Sequence, residues 1–268
     1  MKPLNRDESR VEWLRTAGTL VTVPPVTALS ATWAMAAHTL GSTDGAERAA
    51  KAWCDAVLGV VGARVHARVH DDLDPEGTYV FVSNHQSHVD VPVIVRTWPG
   101  PIRFVAKRSL GKIPIFGHAL HMLGHVIIDR RNSEDSRRRL AHQVERVRTE
   151  VSVLFFAEGT RSRDGSLQAF KKGCLMLAEL SGVPVVPIAV SGTRDILASG
   201  KATVRSGPVG IVFGAPMPHM ADTSRSRDER ITELRSEVQA LKQEADALCY
   251  SPDRRVDSSA DQAGNRSD

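Results

Sequence analysis

The chain has 268 residues, 41% of them hydrophobic, enough to bury a substantial core in one large domain or two small ones. Its 35 basic and 31 acidic residues leave a net charge of +4, which suits anionic ligands or an anionic membrane surface; aromatics at 5%, with no basic stripe among them, argue against nucleic acid. Cys54, Cys174 and Cys249 lack C-x-x-C spacing and read as reduced thiols, and Asp7 and Glu8 precede any apolar run, which argues against a secretory signal.

Residues 16–43 contain no Asp, Glu, Lys or Arg, a length able to cross a bilayer. Pro24-Pro25 interrupts the run and Thr, Ser, Ala and Gly dilute it. The expectation is a helical hairpin or kinked helix lying in the membrane interface, anchored by Trp13 and Trp33. The alternative is a helix packed on the globular part. Residues 1–44 are accordingly set apart as an N-terminal, membrane-associating apolar segment.

Residues 45–61 place Ala49, Trp53 and Val57 at helical spacing, and residues 63–70 alternate as a strand. Strands follow at 78–83, 102–106, 126–128, 151–156, 183–190 and 209–213. Between them a short apolar piece covers 91–96 and a helix-like stretch is broken at Ile113-Pro114. A helix capped by Ser133, Glu134, Asp135 and Ser136 runs to Glu150, and another spans 170–180, closed by Gly182. Alternating strands and helices predict an α/β fold over residues 45–220, a mixed sheet flanked by helices, with ligands beyond the carboxyl ends of the strands. Residues 221–250 carry Ile231, Leu234, Val238, Leu241 and Leu248 as an amphipathic helix that either packs on the domain or pairs with a second copy. Residues 251–268 have little to bury and read as a disordered tail.

Several strand ends carry polar groups. The strand at 78–83 empties into Asn84-His85-Gln86-Ser87-His88-Val89-Asp90. Asp90, five positions after His85, can fold back through one helical turn to accept from one ring nitrogen while the other faces a substrate, so His85 is a candidate general base. Such spacings also arise as helix caps, and His85, His88 and Asp90, with His118, His121 and His125 nearby, keep a zinc-dependent hydrolase open as an alternative. The run at 151–156 delivers Glu158-Gly159-Thr160-Arg161, where glycine allows close backbone approach and Arg161 can grip a phosphate. Lys107 and Arg130 end two further strands and add cationic reach. There is no G-x-S-x-G elbow; Ser87 reads as a turn group and Cys174 as helix core.

Taken together, N-H-Q-S-H-V-D, then G-H-V-I-I-D-R (Gly124 to Arg130), F-A-E-G-T-R-S (Phe156 to Ser162) and V-P-V-V-P-I (Val183 to Ile188) resemble the four blocks of the glycerolipid acyltransferase superfamily. Within it the chain looks most like the 1-acyl-sn-glycerol-3-phosphate acyltransferases. The resemblance runs from Tyr79 to Phe213 and takes in Lys107, Ile113-Pro114-Ile115-Phe116-Gly117 and Phe170-Lys171-Lys172-Gly173. It implies a glycerolipid acyltransferase-like fold in which His85 is the base and Asp90 its partner. Glu158, Gly159, Thr160 and Arg161 would hold the glycerol phosphate, Arg130 would line that pocket, and Lys107 would contact phosphate or the developing oxyanion.

The implied reaction moves an acyl group from acyl-CoA or acyl carrier protein to the sn-2 hydroxyl of a lysophospholipid acceptor, with no cofactor, no metal and no nucleic acid. The implied location is the cytoplasmic face of the cell membrane, peripheral or monotopic. Another lysophospholipid, glycerol 3-phosphate or a non-lipid alcohol is the alternative acceptor. Ala157 departs from the usual proline, and Ser109 stands where many members carry an acid; neither removes a reacting group.

Overall fold

A computed structural model describes residues 6–129 and 132–250. The chain opens with two helices, α1 (Arg6–Thr39) and α2 (Thr43–Val61), packed on each other. It continues through β1 (Ala63–Val69), β2 (Val80–Ser83), α3 (Asp90–Thr97), β3 (Ile102–Lys107), a 3-10 turn at Leu110–Lys112, α4 (Phe116–Met122) and β4 (Val126–Ile128). Then come α5 (Ser133–Ala141), α6 (Val144–Thr149), β5 (Ser152–Phe156), α7 (Gly173–Ser181), β6 (Val185–Ser191), the single turn α8 (Thr193–Ile196), β7 (Gly207–Phe213) and α9 (Arg227–Tyr250).

Among the described residues the strands form one mixed sheet in the order β1-β7-β6-β2-β5-β3-β4. All neighbours are parallel except β6 and β7. The central strands β2, β5 and β6 are apolar and almost wholly buried, as strands covered on both faces must be. One face packs an aromatic cluster of Tyr79, Phe81, Trp98 and Phe213. The other packs α7 through Leu175, Leu177 and Ala178. Helix α9 covers β6 and β7 through Leu241 and Ala245, which settles the amphipathic helix on its own chain. Parallel pairing brings the carboxyl ends of β2, β5, β3 and β4 to one rim of the sheet.

Helix α1 does not form the expected hairpin within 16–43. It runs as one helix through Pro24 and Pro25, and the hairpin forms instead with α2. Proline removes the bonds to the carbonyls four residues back but already has a helical φ, and the hydroxyl of Thr27 donates to Val23 O at 2.8 Å just beyond the gap. Thr16, Thr19 and Thr32 likewise donate to carbonyls within the helix. One side of α1 is bolted to the rest of the chain: Val204 N donates to Thr16 Oγ1, Arg205 pairs with Glu12, and Trp53 Nε1 of α2 donates to Thr27 Oγ1. The other side bares Trp13, Leu14, Leu20, Val21, Leu29 and Trp33. Residues 10–39 are long and apolar enough to cross a membrane, so the helix is suited to membrane association. Beneath it lies a mainly apolar pocket, partly open to solvent, walled by Ala31, Ala34, Trp53, Val95, Phe116 and Leu120.

Helix boundaries differ from the sequence reading, while the strands shift by a residue or two. The helix expected over 133–150 is two helices, since the break at His142 and Gln143 lets Val147 bury while Arg148 reaches the carbonyls of Leu180 and Ser181 at the end of α7. Its cap is Asn132, whose Oδ1 accepts from Asp135 N. Residues 170–172 stay outside α7 because Lys171 N donates to Ala157 O at 2.8 Å, extending the pairing beyond β5. Residues 251–268, read as a tail, and Arg130 lie outside the described residues.

Candidate active site

Beyond Ser83 the backbone of β2 leaves the sheet, but Asn84 keeps it tied. Its side-chain amide donates to Val190 O and accepts from Val190 N, both at 2.9 Å, imitating a peptide group against β6. His85 therefore leaves the rim in a fixed direction. The backbone then turns into α3, whose first residue is Asp90.

Asp90 is fully buried. Its Oδ2 accepts from His85 Nδ1 at 2.8 Å, Gln86 N at 2.7 Å and Ser87 N at 2.9 Å, and its Oδ1 accepts from Thr193 Oγ1 at 2.5 Å. Four donors replace the water it lost and hold the carboxylate in one orientation. The bond to Nδ1 sets the tautomer with the proton on that nitrogen and leaves the Nε2 lone pair outward; Nε2 makes no hydrogen bond among the described residues. The His85 side chain is 15% exposed and its ring stacks on Phe156, with centroids 3.9 Å apart and planes 19° from parallel.

The strand next door supplies the second motif. Glu158 is 4% exposed, and its two oxygens accept from the backbone amides of His85 at 2.7 Å and Gln168 at 3.1 Å. Burial pushes its carboxyl above the ordinary value, against the pull of those amides. This carboxylate is turned inward, tying the tips of β2 and β5 and the returning loop; the sequence reading had set it among groups facing a ligand. Ser162 N adds a bond to His85 O at 2.8 Å, so Arg161 is held next to the histidine loop. The loop beyond is locked by Asp164, which Ser166 and Ser162 hold down to about 2, and by Arg235 of α9 on the carbonyls of Leu167 and Gln168.

Gly159 has φ 73°, and a side chain there would run into Lys171, whose Cε and Nζ would lie 2.9 and 3.0 Å from an added Cβ. Lys171 thus lies across the motif. Its neighbour Lys172 lines the same cleft but is engaged by Asp228 of α9 at 2.6 Å. Among the described residues Lys107, Arg161 and Lys171 have no ion-pair partner. Lys107 is exposed at the end of β3, and Thr160 is exposed with its hydroxyl 3.4 Å from Gln168 Oε1. A cleft of about 1090 Å³, open to solvent, runs from Phe156, Gly159 and Lys171 along Val105, Ile128 and Leu140.

The remaining histidines divide. His88 is drawn below the ordinary imidazole value by burial first, then by the Arg161 guanidinium and the His85 ring, which sets all three on the same rim. His125 accepts from Phe104 N at 3.1 Å and packs on the Phe104 ring, and burial, then Arg103 and Arg146, draw it well below the ordinary imidazole value. Among the described residues, no three His, Cys, Asp or Glu side chains are grouped to hold a metal ion.

The arrangement sets a proton acceptor of fixed direction on the same rim as cations without ion-pair partners among the described residues, beside a cleft that is apolar on one side. It can take a proton from a hydroxyl whose owner carries a phosphate nearby. The sequence reading missed Phe156, Thr193, Asn84 and the separate fates of Lys171 and Lys172. Asn84 and Phe156 stand inside the motif blocks without a role of their own, the F-K-K-G run does not distinguish its two lysines, and nothing in the sequence pointed to Thr193.

Comparison with known proteins bears on this geometry. The Acyltransferase family pattern matches residues 64–191. The chain is 31% identical over 181 residues to a 1-acyl-sn-glycerol-3-phosphate acyltransferase of Salmonella typhimurium, covering 67% of this chain and 71% of that one. It is 37% identical over 139 residues to the chloroplastic 1-acyl-sn-glycerol-3-phosphate acyltransferase BAT2 of Brassica napus, covering 52% of this chain but 40% of that longer one. The crystal structure of the 1-acyl-sn-glycerophosphate acyltransferase PlsC of Thermotoga maritima shares the fold, with a TM-score of 0.76 and 23% identity over 92% of this chain and 100% of that one.

Proposed function

The chain belongs to the 1-acyl-sn-glycerol-3-phosphate acyltransferase family, and from that premise we propose that it transfers an acyl group from a thioester to the sn-2 hydroxyl of 1-acylglycerol 3-phosphate, giving phosphatidate. The observation that carries the reading is the oriented His85–Asp90 pair on the same rim as the unpaired Arg161, Lys107 and Lys171.

In this reading Nε2 of His85 takes the proton of the acceptor hydroxyl as its oxygen attacks the thioester carbonyl. The carbonyl oxygen becomes an oxyanion, which collapses and expels the thiolate, and the imidazolium returns its proton to that sulfur. Asp90 stabilises the imidazolium and Phe156 keeps the ring from rotating. General-base help of this kind contributes about 10² to 10⁴ in rate. Arg161 and Lys171 hold the acceptor phosphate, with Thr160 and the Gly159 backbone beside them. Lys107 serves phosphate or oxyanion, and Arg130 is assigned to the same pocket on sequence alone. Glu158 acts indirectly, by fixing the backbone on which His85 stands.

The donor is acyl-CoA or acyl-acyl carrier protein, and the working surface is the cytoplasmic face of the cell membrane, where α1 associates as a peripheral or monotopic element. Residues 45–220 form the acyltransferase unit. The deciding assay follows thiol release from acyl-CoA, and separately from acyl-acyl carrier protein, against 1-acylglycerol 3-phosphate, glycerol 3-phosphate, an unphosphorylated monoacylglycerol and a lysophospholipid with a blocked phosphate. Preference for 1-acylglycerol 3-phosphate is expected; equal turnover of the unphosphorylated acceptor removes the reading.

A further inference from the structure

Between the end of β3 and α4, the backbone does something costly. Ile115 has φ 61° and ψ −61°, and among the described residues it is the one non-glycine residue with positive φ. Phe116 N donates to Pro114 O at 2.6 Å, closing a γ-turn of the rare positive-φ hand around a β-branched residue, which is among the least suited to it. The turn is braced from inside: Gly117 N donates to Ile113 O at 2.7 Å, and a side chain at Gly117 would strike the carbonyl of Gly111. The result is outward display of Ile113 and Ile115, 44% and 45% exposed, at the tip of the loop. In water an asparagine or glycine would satisfy this backbone at lower cost, and the exposed isoleucines contribute nothing.

The surroundings say what the loop faces. Phe116 packs against Trp53, with centroids 6.3 Å apart, and Trp53 bonds Thr27 in the middle of α1. Helix α4 also contacts α1 directly. The loop is thus fastened beside the part of α1 that bares Leu29 and Trp33, within about two helical turns. Lys112, exposed and without an ion pair among the described residues, stands at its base, as cations do where a segment meets anionic head groups. On that same side the chain leads back through the 3-10 turn at Leu110–Lys112 to Lys107 on the rim.

We propose that residues 113–116 are a second lipid contact, dipping Ile113 and Ile115 into the bilayer surface beside α1 and so bringing the rim down to the lipid. This rests on the membrane association of α1, and the test separates the two. Ile115→Cys and, separately, Leu29→Cys are labelled with an environment-sensitive fluorophore; the native cysteines are buried and stay unlabelled. On vesicles of phosphatidylglycerol and phosphatidylcholine both labels should shift to the blue and be quenched by lipids carrying a quencher in the upper acyl chain. A response at 29 with none at 115 overturns the loop contact and leaves α1 in place. No response at either defeats both. As a second variant, Ile115→Gly suits the backbone and keeps the fold, and should lower vesicle binding several-fold without lowering turnover of a short-chain acceptor in detergent. Wild-type vesicle binding by that variant also overturns the proposal.

Discussion

Thr193 donates its hydroxyl hydrogen to Oδ1 of Asp90 at 2.5 Å, from 103 positions further along the chain. It is the one donor on that oxygen among the described residues, so it stops the carboxylate from rotating away from His85. Thr193→Val leaves a buried charge short of a bond, a loss of about 1.5 kcal/mol in orientation. The expected outcome is a kcat about tenfold lower with unchanged acceptor KM, largely restored in Thr193→Ser. A serine variant as impaired as the valine one would assign the effect to packing instead.

Asp90→Asn separates charge from shape. The amide oxygen can take the place of Oδ2 under its three donors, and the amide nitrogen can donate to Thr193, whose hydroxyl rotates to accept. The variant should fold with near wild-type Tm yet lose at least about 10²-fold in kcat, because nothing then stabilises the imidazolium. His85→Ala should lose about 10² to 10⁴ and also keep its fold. Near-normal turnover in the alanine variant removes His85 from the mechanism.

Adjacent lysines offer a controlled comparison. Lys171→Gln should raise the KM for a phosphorylated acceptor about tenfold, roughly one charge-assisted bond, with little change for the acyl donor. Lys172→Gln, whose ammonium is occupied by Asp228 at the surface, should be within experimental error of wild type. Equal effects of the two substitutions would show that general surface charge, and not the placement over Gly159, is being read.

Acid stability should report Glu179. This carboxylate of α7 accepts from Arg227, and from the buried Arg230 at 2.6 Å, and their hydrogen bonds hold it below the ordinary value. A lowered folded value means the stabilisation is complete above the unfolded carboxyl value of about 4.3 and is lost as pH falls from there through the folded value. Glu179→Gln leaves Arg230 buried without its anion and should cost about 3 kcal/mol at pH 7. Melting curves from pH 7 to pH 3 check it: the gap between wild type and variant should narrow on acidification, and a constant gap would refute the electrostatic account.

The strand positions and the mixed α/β class were legible because β2, β5 and β6 are short apolar runs, the first two ending in a polar motif, and burial on both faces leaves such runs few alternatives. What was not legible lies across the chain. Asn84 pairs with Val190, Asp90 with Thr193, and Glu158 with the amides of His85 and Gln168; no local pattern announces any of them. The inward turn of Glu158 follows from backbone donors, which every residue carries, so its letter alone suggested a group facing outward. The break between α5 and α6 was equally hidden, since it is set by what Val147 and Arg148 meet on α7. Helix α1 was read through its prolines, while its course is decided by the partners on its inner side.

That inner side makes the first helix hard to remove. The cavity wall under α1, with Trp53, Val95, Phe116 and Leu120, would lie open in a shortened chain, and the carbonyl-bonded threonines of the helix would go with it. Trimming the protein at residue 40 to obtain a detergent-free sample should therefore yield aggregates. The intact chain, with grease on one flank only, should carry a lopsided detergent collar.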